Sequence, residues 1–202
     1  MTTTTLHLDS GPVTLDEQGD PAGYPILLLH GGAGPRSVAG FAARLPPGNR
    51  VITPTHPGFD GTPRPSTLDS MAGLAGLYRE LVDALHLDGV TVVGNSIGGW
   101  IAAEMALHGN PHIAGVILVD AAGLVVDEDP VADFFALTMD QVADLSYARP
   151  DDFRIDVDAL PDAQKQAMAG NRAALLAYAG STMADPSLRE RLGGVRVPTL
   201  VV

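Results

Sequence analysis

The sequence predicts an α/β protein built on a mainly parallel sheet. Short, continuous apolar runs, typical of strands covered on both faces, alternate with segments whose apolar residues have helical spacing. The runs are residues 25–29, 90–93 and 116–119, and the clearest helical segment is 68–87. Strands that alternate with helices in this way form parallel sheets with helices on their faces.

Shorter segments extend this pattern at both ends of the chain. Residues 6–8 and 13–15 alternate apolar with polar side chains around Ser10-Gly11-Pro12, which predicts an opening hairpin. A short helix is expected at residues 38–45 and a further strand at 50–53, and residues 195–202 return to the strand pattern.

Residues 121–194, called the cap segment below, differ from the rest. They contain no strand-like run, and helices are expected near residues 131–137, 140–147 and 161–179. We interpret them as a helical cap that lies over the sheet. The predicted organisation is therefore a sheet-containing core at 1–120, a cap at 121–194 and a returning core strand at 195–202.

Composition excludes several functions. A net charge of −12 repels phosphate backbones, so we expect no nucleic acid partner. No apolar run approaches the roughly 20 residues of a membrane span, and nothing indicates secretion, so we expect no membrane and a cytoplasmic location. No cofactor or metal is indicated, because the acidic residues at 127–129 lack an accompanying histidine or ordered ligand spacing.

The most informative stretch reads Gly94-Asn95-Ser96-Ile97-Gly98, between a predicted strand and a helical pattern. This spacing predicts a strand that turns sharply into a helix, with Ser96 at the apex. The strained apex requires positions with almost no side chain, which Gly94 and Gly98 supply. We expect Ser96 to lie exposed above the end of the strand, near the first N–H groups of the helix.

Three motifs then follow three predicted strands in chain order. They are His30-Gly31-Gly32, Pro57-Gly58-Phe59 and Gly94-Asn95-Ser96-Ile97-Gly98-Gly99. With these motifs, the helical insertion and the returning strand at 197–202, essentially the whole chain resembles the α/β-hydrolase family. The nucleophile motif is also similar to that of the meta-cleavage product hydrolases.

The resemblance implies roles for individual residues. Ser96 looks like the nucleophile, and the backbone N–H groups of Ile97 and Gly32 would form the oxyanion hole, with Ala33 as the alternative to Gly32. His30 is expected to be structural, through hydrogen bonds to nearby loops. A serine hydroxyl also needs a base that accepts its proton.

The chain departs from the family pattern at the base. The family places a histidine after its last strand and usually the acid after the strand expected at 197–202. His56 follows a strand at the correct edge of the sheet, but that strand is not adjacent to the serine's, so we assign it to packing rather than catalysis. Asp120 ends the neighbouring strand and is either the orienting acid or a structural carboxylate.

We therefore expect no base in this chain and a triad that is incomplete. The simplest expectation is the first part of a longer hydrolase, which lacks a C-terminal strand and helix. The alternative is a chain that forms a homo-oligomer to cover the apolar edge strand at 197–202.

The function expected from these residues is hydrolysis of an ester-like small molecule through a Ser96 acyl-enzyme. One alternative is carbon–carbon bond hydrolysis, as in the meta-cleavage product hydrolases. Another is a binding protein that kept the fold and lost its base. Proline iminopeptidase action fits less well because Gly32-Ala33-Gly34 departs from their Gly-Pro-Gly, and dehalogenases and epoxide hydrolases carry Asp where Ser96 stands.

Overall fold

The computed structural model describes residues 2–128 and 130–202 and contains one seven-stranded sheet. The strands are β1 (Thr2–Leu8), β2 (Gly11–Gly19), β3 (Tyr24–Leu29), β4 (Asn49–Thr55), β5 (Val90–Asn95), β6 (Ile113–Val119) and β7 (Thr199–Val201). Their order across the sheet is β1-β2-β4-β3-β5-β6-β7. The opening hairpin is antiparallel to its neighbours, and every pairing from β4 to β7 is parallel, so the predicted fold class is confirmed.

Helices cover both faces of this sheet. They are α1 (Arg36–Ala42), α2 (Met71–Ala84), α3 (Ile97–His108), α4 (Met139–Ser146), α5 (Asp162–Ala179) and α6 (Leu188–Arg191). Leu27 and Val92 belong to the larger core beneath α2 and α3, whereas Ile26 and Val93 point to the other face and form a smaller core with Val38 of α1. Among the described residues, no helix is both long enough and apolar enough to cross a membrane.

Two of the three helices expected in the cap segment are present. The structure has α4 and α5 where helices were expected near residues 140–147 and 161–179. The prediction of a helix at 131–137 is wrong. There the Asp133 carboxylate accepts the N–H groups of Phe135 and Ala136, and the chain makes a single turn. Thr138 then begins α4 with a capping box, so the turn does not continue as a helix. Asp129, in the acidic stretch at 127–129, lies outside the described residues.

The strand boundaries also differ from those expected. β4 continues beyond residue 53 through Pro54 and Thr55, and β6 begins at Ile113 rather than at residue 116. Pro54 lies beyond Ile52, the last β4 residue paired with β3, so its missing N–H removes no bond to that strand. The strand expected within residues 195–202 is confined to β7.

The two ends of the cap segment lie side by side. Gly123 and Ala184 form an isolated parallel bridge, and the Asp185 N–H donates to the Gly123 carbonyl at 2.8 Å. Arg191 fastens this junction to the core, because its guanidinium donates to both carboxylate oxygens of Glu104 at 2.7 Å and to Asp185 at 2.6 Å. Glu104 lies buried on α3, the helix that follows Ser96.

The last strand forms an exposed apolar edge. β7 pairs with β6 at the end of the strand order, and Leu200 and Val201 are 55% and 71% exposed. Unpaired strand edges of this kind favour pairing with another chain. Association through this edge stays a prediction.

Replacing Glu104 by alanine is expected to lower the free energy of unfolding by about 2 kcal/mol, because it leaves the Arg191 guanidinium without its buried partner. This loss is smaller than the roughly 3–5 kcal/mol typical of a broken buried ion pair, because the Arg191 side chain is 38% exposed and water screens its charge. Urea unfolding measures this difference. The control is Glu190→Ala, which removes an exposed carboxylate on α6, and an equal loss in both variants would contradict the assignment.

Candidate active site

Ser96 occupies the sharp turn between β5 and α3. Its backbone has φ 55° and ψ −116°, a region that costs a non-glycine residue free energy. A side chain at Gly94 would place its Cβ 2.1 Å from the Gly98 carbonyl oxygen, and one at Gly98 would place its Cβ 2.3 Å from the Leu29 carbonyl oxygen. The two glycines therefore allow strand, turn and helix to approach backbone to backbone.

The backbone of Ser96 is tied to the neighbouring strand. Its N–H donates to the Val119 carbonyl at 2.9 Å, and its own carbonyl accepts the Ala122 N–H at 3.1 Å. These bonds hold the strained turn from the end of β6. The Ser96 side chain is partly exposed, and its hydroxyl has no hydrogen-bond partner among residues 2–128 and 130–202.

The loop after β3 passes directly beside this turn. A Cβ at Gly31 would lie 3.3 Å from Ser96 Cβ and 2.9 Å from Asn95 Oδ1, so a larger residue here would require the Asn95 side chain to move. In the described part of the chain, the N–H groups of Ile97, Gly32 and Ala33 donate to no acceptor. Free N–H groups beside a serine are the arrangement that can stabilise an oxyanion.

His30 and His56 form a fully buried pair beneath this loop. His30 Nδ1 lies 2.7 Å from the Gly31 carbonyl oxygen, and its Nε2 accepts the His56 backbone N–H at 3.0 Å. His56 Nε2 lies 2.9 Å from the His30 carbonyl oxygen, and its Nδ1 contacts the Tyr78 hydroxyl. Each ring thus donates through one nitrogen and accepts through the other, which assigns both as neutral imidazoles.

Burial determines the protonation of this pair. Burial lowers the pKa of His56 to about 4, against a weaker raising effect of its bond to the His30 carbonyl. Burial, and then the neighbouring His56, lower the pKa of His30 well below its ordinary value, while the bond to Gly31 opposes the shift. Both rings therefore remain neutral near pH 7 and join the loop after β3 to the loop after β4.

The structure gives neither histidine a free nitrogen for Ser96. His30 bonds to nearby loops, as the sequence led us to expect. His56 follows β4, which β3 separates from the serine's strand, and it is buried rather than on the surface. No bond from any of the six histidines to Ser96 occurs in the described structure.

Asp120 lies where the sequence placed it, directly after β6 and at the same edge as Ser96. Its backbone has φ 45°, and its N–H donates to the Val202 carbonyl at 3.0 Å. The side chain is exposed, and its carboxylate accepts no hydrogen bond within the described residues. Its role as an orienting acid stays a prediction.

Sequence reasoning missed the residues by which α5 reaches the loops near Ser96. Asn171 Oδ1 accepts the Asp60 N–H at 2.7 Å, and the Tyr178 hydroxyl donates to the Pro57 carbonyl at 2.9 Å. The spacing of Asn171 and Tyr178 places them on one face of α5, and the sequence shows this spacing. The sequence does not show which part of the protein that face contacts. A pocket of about 180 Å³ opens between the start of α1 and the cap segment, and its lining includes Ala33, Arg36, Met168 and Asn171.

Residues 24–167 match the family of the alpha/beta hydrolase fold. With the sheet order and the turn at Ser96 described above, this shows that the chain belongs to the α/β hydrolase family. The resemblance seen in the three motifs is therefore confirmed.

Individual relatives are similar to this chain over different lengths. A 2-hydroxy-6-oxo-2,4-heptadienoate hydrolase of Pseudomonas putida is 31% identical over 156 residues, which cover 62% of this chain and 55% of that hydrolase. A 2-hydroxy-6-oxo-6-(2'-aminophenyl)hexa-2,4-dienoic acid hydrolase of Metapseudomonas resinovorans is 29% identical over 198 residues, which cover 89% of this chain and 67% of that protein. These names confirm the similarity to meta-cleavage product hydrolases.

The fold itself recurs in solved structures. An enol-lactonase from Burkholderia xenovorans LB400 superposes with a TM-score of 0.73 at 20% identity, over 98% of this chain and 80% of that one. This likeness shows the fold alone. The chain spans between 35% and 67% of the length of the curated relatives that it matches.

Gly98→Ala is expected to lower the free energy of unfolding by at least about 3 kcal/mol, because the new Cβ meets backbone carbonyls of Leu29 and His30 that cannot move independently. Chemical denaturation measures the change. Gly76→Ala on α2 is the matched control, since nothing lies within 4 Å of its Cβ position, and it should be neutral or stabilising by up to about 1 kcal/mol. Equal effects of both substitutions would show that the turn is not tightly packed.

Stability is expected to fall as the pH is lowered from about 6.5 toward 5. Both histidines have lowered pKa values in the folded protein, so the unfolded chain binds protons first below its ordinary histidine pKa of about 6.5. In this window each histidine contributes a slope of up to about 1.4 kcal/mol per pH unit to the free energy of unfolding. The window lies above the ordinary pKa values of carboxylates, so these titrate little within it. Denaturation at a series of pH values measures the slope. The exposed His108→Gln variant should retain it, and a flat profile would refute the neutral pair.

Proposed function

We propose that this chain is a serine hydrolase that cleaves ester-like small molecules by acyl transfer through Ser96. The observation that carries the proposal is the strained turn at φ 55°, which presents an unbonded hydroxyl beside free backbone N–H groups. In this reaction Ser96 Oγ attacks the carbonyl carbon, and the N–H groups of Ile97 and Gly32 stabilise the oxyanion. The ester C–O bond then breaks, and the alcohol leaves with the proton that the base took from Ser96. Water attacks the acyl-enzyme carbonyl, which releases the acid and restores the Ser96 hydroxyl.

The proton of Ser96 needs an acceptor. Because the two buried histidines use both ring nitrogens and none of the other four bonds to Ser96 in the described structure, the proposal assigns the base to none of these six histidines. Asp120 is the proposed acid that would orient such a base, since it follows the strand next to the serine's. A pocket of about 180 Å³ lies beside Ala33, next to the loop that carries the Gly32 N–H, but Ser96 is not among its lining residues.

Carbon–carbon bond hydrolysis is the second candidate. It is favoured by the activities for which the relatives from P. putida and M. resinovorans are named, and by the Gly94–Gly99 motif. A dienone substrate and a p-nitrophenyl ester, compared at equal enzyme concentration, discriminate between the two. Faster turnover of the dienone would favour this candidate.

A fluorophosphonate is expected to add one label to the native gene product, because it traps an activated serine. Intact mass measured before and after treatment gives the number of labels, and Ser96→Ala should take none. The matched control is Ser66→Ala, which removes an exposed serine from the loop before α2 and should label like the wild type. Absence of any label would leave the third candidate, a binding protein that kept the fold.

A further inference from the structure

One stripe of α5 covers the loops that surround the serine. Its residues Asn171, Ala174, Leu175 and Tyr178 are all buried. Ala174 lies against Gly58, whose Cβ would stand 3.0 Å from the Ala174 methyl group, and Tyr178 bonds to the Pro57 carbonyl. These contacts fasten the C-terminal half of the stripe to the loop after β4.

The other two residues reach the loop after β3, here called the oxyanion loop (residues 31–34). Leu175 is 2% exposed, and its Cδ2 lies 3.2 Å from the position that a Gly32 Cβ would take. Asn171 is 6% exposed, and its Nδ2 lies 2.9 Å from the corresponding position at Gly34. Its Oδ1 accepts the Asp60 N–H, so one side chain touches both loops.

The oxyanion loop has little rigidity of its own. Three of its four residues are glycines, Gly34 has φ 89°, and its one internal backbone hydrogen bond runs from the Gly34 N–H to the Gly31 carbonyl at 3.1 Å. Glycine-rich backbone loses more conformational entropy than other sequences when it is held in one geometry. His30 bonds to the carbonyl of its first residue, and the hydroxyl and N–H of Ser37 donate to the carbonyl of its last residue, Gly34, at 2.7 and 3.1 Å. Residues of α5 cover Gly32 and Gly34 from the other side.

We infer that Asn171 and Leu175 are positioning residues that hold the oxyanion loop so that the Gly32 N–H stays directed toward the carbonyl attacked by Ser96. This inference rests on the proposed function for the reaction it serves. It gives the cap segment a role in the oxyanion hole, because α5 then holds one of the two N–H donors in place. Neither side chain touches the reacting atoms.

Amide hydrogen exchange tests the positioning directly. In Asn171→Ala and Leu175→Ala, exchange at the Gly34 amide should be about fivefold faster or more, while the core amides of β3 keep their protection. Leu175→Met should restore most of the protection because it refills the contact with Gly32. Leu176→Ala is the matched control, since Leu176 is 47% exposed on the same helix, and it should change nothing.

The reaction gives an independent readout. The maximal rate of Ser96 phosphonylation should fall about tenfold in both alanine variants, with half-saturation nearly unchanged, because the oxyanion donor acts in the transition state. Asn171→Ser serves as the milder variant if an alanine variant does not fold. Unchanged Gly34 exchange, or equal acceleration at β3, would overturn the inference. If wild-type Ser96 takes no label, the proposed function fails, and Gly34 exchange still decides whether α5 holds the loop.

Discussion

The structure depends on a contact between two pieces of backbone. The first turn of α3 lies against the end of β3, and the space between Gly98 and the carbonyls of Leu29 and His30 admits no side chain. The segment 94–98, which gives Ser96 its positive φ, therefore also fixes the place where the oxyanion loop begins. Ser96 and the first residue of the loop are therefore held relative to each other by main-chain geometry, whereas the glycines that follow depend on contacts with α5.

The buried imidazole pair extends this arrangement away from the serine. His56 bonds to the His30 carbonyl, which is also one of the two carbonyls that the Gly98 position approaches. Neutral rings suit this place, because each needs one acceptor nitrogen and a second proton would remove it. The pair therefore joins the loop after β3, the loop after β4 and α2 through directed bonds, although it has no part in the proposed proton transfer.

Local patterns made much of the fold and part of the site predictable. The turn at Ser96 could be predicted because its glycines are four residues apart and serve a requirement of the same short segment. The contacts of Asn171 could not, because its partners at residues 34 and 60 are more than 100 positions away and nothing in α5 itself indicates them. The error at residues 131–137 has a different, local origin, since the Asp133 carboxylate competes with the helix for the N–H groups of Phe135 and Ala136.

The adjacent ends of the cap segment have a consequence for how such proteins diversify. Because Gly123 and Ala184 are bridged, the residues between them begin and end next to each other. A loop with neighbouring ends can change length, or be exchanged for another, without altering the spacing of the strands below. The cap segment can thus change in one part of the gene while the register of the sheet and the turn at Ser96 are inherited unchanged.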